Sequence, residues 1–127
     1  MKRILFVCFL ISATCSGSFQ AARAQSATAV SISTYTAKVN LLDSFISAGD
    51  MTNAQATWNV VHAMLMAELA YTKSTIASAS TTATATTATA VNANQYSIYN
   101  SIWSLKANLA ANRAALHTKL NDFGSTF

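Results

Sequence analysis

The sequence predicts an all-α protein, an antiparallel three-helix bundle with helices over roughly 28–48, 52–79 and 92–123. Three observations carry that expectation. Apolar residues recur every three or four positions in three stretches, capping residues precede two of them, and proline is absent throughout. A stripe at that spacing is one buried face of a helix, and the absence of proline leaves no internal breaker.

The chain opens differently. Lys2 and Arg3 precede an unbroken apolar run, Ile4 to Ile11, and the residues from Ser12 to Ser18 are small and polar. Ala22-Arg23-Ala24 then puts small residues at the two positions a signal peptidase reads. This is the grammar of a secretory signal, so residues 1–24 are expected to be a cleaved Sec signal peptide. Residues 25–127 are expected to form a single helical domain. A membrane-spanning helix needs about 20 apolar residues, and this run stops at roughly half that. A lipoprotein signal fits poorly, because Ser12 and Thr14 stand where the motif around Cys15 wants a Leu-like and a small residue.

Cleavage changes the chemistry of what remains. Cys8 and Cys15 leave with the signal, so the mature chain has no thiol and no thiolate metal site. Lys2, Arg3 and Arg23 leave too, and the formal charge falls from +4 for the whole chain to +1. The expected location is secreted or periplasmic, in a bacterium exporting through Sec.

In the first helical stretch Ile32, Tyr35, Val39, Leu42 and Ile46 share a face, with Phe45 beside them and Gly49 placed to end it. The second begins at Thr52-Asn53-Ala54-Gln55, which reads as a capping box. Trp58, Val61, Leu65, Leu69 and Ile76 follow, and Val60, Met64 and Met66 widen the stripe. The third repeats the box loosely at Asn92-Ala93-Asn94-Gln95. Its stripe is Ile98, Tyr99, Ile102, Leu105, Leu109, Leu116, Leu120 and Phe123, with Gly124 as a stop.

Between the second and third helices lies Thr81–Ala90, six threonines and four alanines. It has nothing large to bury on either face, which favours a loop or a frayed helix end. The same composition admits a glycosylated, ice-contacting or β-pairing segment.

Catalysis finds little material. The four acids (Asp43, Asp50, Glu68 and Asp122) never fall at i, i+3 or i, i+4. No G-x-S-x-G elbow, P-loop or dinucleotide fingerprint occurs, and the mature chain holds only Gly49 and Gly124 for tight phosphate-binding turns. The reading is no enzyme and no cofactor. Covalent haem attachment has no cysteines to use, and a Met/His haem pair using His117 has nothing to select it.

The one local cluster with metal chemistry is His62-Ala63-Met64-Leu65-Met66. His62 and Met66 stand one turn apart, and imidazole with thioethers suits a soft ion such as Cu(I). These are weak candidates, since methionines in an apolar stripe ordinarily fill gaps. Trp58 and Trp103 both read as core anchors, and His117 as a surface residue. The five mature cations are scattered, against nucleic acid or a stable membrane anchor.

Charged residues are only 9% of the chain, against ~25% in ordinary soluble domains. A surface of Ala, Ser, Thr and Asn does little to keep copies apart. The expectation is therefore an exported helical protein acting through protein–protein contact, as an interaction module or assembly subunit, with a protein partner or self-association. The alternatives are a periplasmic metal or cofactor carrier using His62, Met64 and Met66, and, last, an enzyme.

Overall fold

The first helix ends as the sequence indicates. In the computed structural model, which describes residues 29–127, α1 spans Ile32–Ser47 and stops at Gly49, whose φ is +74°. The Gly49 N–H bonds the Ile46 carbonyl and the Asp50 N–H bonds the Phe45 carbonyl. That pair of bonds is a Schellman cap, and only a residue tolerant of positive φ closes it cheaply.

Helix α2, Met51–Ala77, starts two residues after Gly49. Its cap is Asp50, whose carboxylate accepts from the Asn53 backbone N–H at 3.1 Å and from the Asn53 side-chain amide at 2.6 Å. The capping box expected from Thr52 and Gln55 does not form. A carboxylate directly after the Schellman turn reaches the orphan N–H groups first, and Gln55 bonds Asn59 instead.

The larger departure follows. The Thr/Ala tract is no loop but the start of α3, Thr82–Leu105. Thr81 caps it by accepting from the Thr84 N–H at 3.2 Å. Thr86, Thr87 and Thr89 return their hydroxyls to carbonyls four residues back. Alanine supplies propensity and those back-bonds satisfy the threonine hydroxyls, so the helix needs no large side chain here. Asn92 to Gln95, read as a helix start, lies well inside α3.

The expected third helix is therefore two. A 3-10 turn, Lys106–Asn108, follows α3, and α4 runs Arg113–Gly124. Neither glycine nor proline makes the break. The Asn108 side chain accepts from the Ala111 N–H, and the Asn112 amide donates to the Leu105 carbonyl. Side chains that capture backbone groups compete with the helical ladder and turn the chain. Leu109, buried at the bend, pins it to the core.

The described residues are all-α, with four α-helices and no strand. The expected count of three is corrected to four. Each helix packs on two neighbours in a closed ring, α1 on α2 and α4, and α3 on α2 and α4. Successive helices run antiparallel. Tyr35, Val39, Leu42, Trp58, Val61, Leu65, Leu69, Ile102, Leu116, Leu120 and Phe123 fill the centre. The start of α1 stands beside Glu68 of α2, since the Val30 N–H donates to Glu68 Oε2. The α2/α3 hairpin therefore runs on past α1, with the Thr/Ala segment at its tip.

Two polar features sit within the core. The Tyr35 hydroxyl donates to the Leu120 carbonyl at 2.7 Å, and burial pushes its phenol far above the tyrosine range. Gln95, fully buried, accepts from the Thr72 hydroxyl at 2.8 Å and donates to Thr126 at 2.9 Å, while Asn92 donates to Thr72. This layer ties α2, α3 and the C-terminal segment in one register.

Candidate functional site

The residues with most chemistry left over lie on the outer face of the α2/α3 hairpin. Trp58 and His62 are one turn apart on α2, while Tyr99 and Trp103 step along one face of α3 and Lys106 follows at the start of the 3-10 turn. Antiparallel packing sets these rows side by side. His62 stacks on Trp58 with ring centres 5.8 Å apart and on Tyr99 at 6.0 Å. Trp103 lies 5.3 Å from His62 and 6.1 Å from Tyr99.

A hydrogen bond of 3.0 Å joins His62 Nε2 to the Tyr99 hydroxyl. The Lys106 ammonium sits 4.0 Å from the Trp103 ring centre, within cation–π range. Burial among the rings, with Tyr96 close by, raises the Tyr99 phenol above its ordinary value, so it stays protonated at neutral pH. Only one end of the cluster belongs to the core: Trp58 is 3% exposed, while Trp103 is 45% exposed.

The reading of Trp103 as a core anchor is thereby corrected, and that of Trp58 holds. The reason is angular. Ile98, Ile102, Leu105 and Leu109 already fill the inward arc of this segment, so Trp103 falls outside it. The same face continues along the hairpin through Met66 and Tyr96, both nearly half exposed. It reaches a shallow groove lined by Lys73, Ile76, Ala77, Asn92 and Tyr96.

The metal candidates are parted by the helix. Met64 packs partly buried against the core, Met66 points outward at 46% exposure, and His62 is engaged by three aromatic rings. Met66 therefore lies outside the core stripe in which the sequence set it. His117 stands on α4 facing Asn40 of α1, 3.4 Å from its Oδ1. Among the described residues, no three His, Cys, Asp or Glu side chains gather to hold a metal. None of the described helices is long and apolar enough to cross a membrane.

The acids are elsewhere and occupied. Asp43 forms a two-bond pair with Arg113, both contacts 2.8 Å, linking α1 to α4 and holding its carboxyl below the usual range. Asp122 pairs with Lys119, Asp50 caps α2 and Glu68 is buried. The aromatic face was missed in the sequence because Tyr99 and Trp103 share the spacing of the core stripe. The signal available was width: apolar residues at 98, 99, 102, 103 and 105 cover more arc than one buried face uses.

No protein-family profile, no curated protein and no solved structure matches the chain.

Proposed function

We propose that this is an exported, non-catalytic helical protein that works by protein–protein contact, and that the α2/α3 aromatic face is its contact surface. The observation that carries the reading is Trp103, held by stacking and a lysine yet 45% exposed, on a hairpin whose Met66 and Tyr96 are also exposed. Trp, Tyr and Met are enriched at interfaces, and Trp and Tyr are among the residues that most often dominate binding energy. Trp103, at the exposed end of the cluster, adds to folding only its aromatic contacts, about 1 kcal/mol, while its exposed ring costs solubility, which favours a partner that covers it. Carriage of a soft metal by His62, Met64 and Met66 has less support, because Met64 belongs to the core and His62 to the ring stack.

The test is site-specific photo-cross-linking in the exporting cell. A benzophenone amino acid at position 103 is expected to give a discrete adduct, and the same probe at Thr118, on the exposed side of α4, none. Equal adducts at both positions, or none at 103, would overturn the reading.

A further inference from the structure

We propose that the occupant of the α2/α3 face is an acidic amphipathic helix presented by a partner protein, an inference that rests on the contact-surface reading above. Three observations select that chemistry. The first is charge. Lys106 lies over Trp103 at one end of the face and Lys73 lines the groove beside Tyr96 at the other, and neither pairs with a carboxylate among the described residues. The mature chain's four acids are all committed elsewhere, to Arg113, Lys119, the α2 cap and the interior. The face is thus apolar in the middle, cationic at both ends and free of negative charge.

The second is backbone. Two helices side by side offer no unpaired N–H or C=O group along their shared face. An extended segment laid there would bury its own backbone groups without partners, at a cost. A helix brings its backbone bonds already made, and lays an apolar stripe in a groove by side chains at i, i+3, i+4 and i+7. The third is length. From Asn92 to Leu105 the α3 part of the face is about 20 Å long at 1.5 Å per residue, with Lys106 just beyond it. A partner helix of roughly four turns covers it, with apolar residues over Tyr96, Tyr99 and Trp103 and carboxylates near Lys73 and Lys106.

Other occupants fit less well. A second copy would have to spare a carboxylate, and each of its own is engaged. Two lysines are far fewer than phosphate tracking or adhesion to anionic lipid requires.

The experiment selects from a displayed library of random 18-residue helical peptides on the folded protein, then measures binding of the winners by fluorescence anisotropy. Enriched peptides are expected to place Asp or Glu near both ends of an apolar stripe. Trp103→Ala should weaken them roughly thirtyfold, the scale of a binding hot spot. Lys73→Glu with Lys106→Glu should weaken them at least as much, while raised salt weakens binding to the parent protein. Circular dichroism of these surface variants checks that the fold is kept. Winners that depend on Trp103 but ignore both lysines would overturn the acidic helix and leave the contact surface standing. Winners indifferent to Trp103, or no winners at all, would overturn both. Flotation of the protein with phosphatidylglycerol vesicles, lost in Trp103→Ala, would replace the protein partner with a membrane.

Discussion

Tyr35 and Gly124 show how one residue constrains another. A Cβ built on Gly124 would stand 2.9 Å from Tyr35 Cε1, so this glycine is needed for a close approach rather than for its backbone angle or as a helix stop. Tyr35 cannot retreat, because it is buried, bonded to Leu120 and packed on Phe123 and Phe127. Tyr35→Phe is expected to cost about 1–2 kcal/mol through the lost buried bond, and Gly124→Ala about 1–3 through overpacking. A pH series separates the two. Tyr35 holds its proton more tightly folded than unfolded, so its contribution is complete below about pH 10 and is lost as pH rises past that value. Thermal melts should show an alkaline fall that is smaller in Tyr35→Phe and unchanged in Gly124→Ala; Tyr99 adds to it with the same sign. The two tryptophans make a second comparison. Trp58→Ala should cost about 3–5 kcal/mol, and Trp103→Ala about 1, the worth of its aromatic contacts. Equal losses in chemical denaturation would mean the exposed face is part of the core.

Among the elements, α1 was legible because its apolar stripe and its terminal glycine agree. The break between α3 and α4 was not, because the apolar period runs through it: Leu105, Leu109 and Leu116 keep helical spacing while the backbone turns at Asn108 and Asn112. Asparagines that fold back on the main chain leave no mark on periodicity. Asn92 and Gln95 misled in the opposite sense. They look like cap chemistry, yet their amides serve a lateral network with Thr72 and Thr126. The start of α3 escaped notice because a helix without large side chains leaves no stripe. Only Ala85 and Ala88 of the stretch 81–90 are partly covered, so its role in the core is slight. Replacing Thr81–Ala90 with Gly and Ser should remove about ten residues of helical signal, since Gly is ~1 kcal/mol per residue worse than Ala in a helix. The melting transition should stay cooperative, a few degrees lower. A broad, uncooperative transition in circular dichroism would show that the tip supports the whole ring.

At the scale of the whole molecule, the proposal of export is tested by one measurement. Mass spectrometry of protein recovered outside the cytoplasm should find a chain beginning at Gln25; an intact Met1, or lipid on Cys15, would refute it. The residues concerned, 1–24, lie outside those described.

The closed ring has a topological corollary. Because α1 and α4 are antiparallel neighbours, the two ends of the folded part meet: the Tyr35 and Phe127 ring centres are 4.9 Å apart. The order in which the helices are threaded is then separable from how they pack. A short tether from Phe127 to the residues before α1, with new ends opened among residues 106–112, would yield a circular permutant beginning at α4 and ending at α3. Apart from the bend at Leu109, the four-helix packing would be kept, while Trp103 would move from mid-chain to near a free terminus.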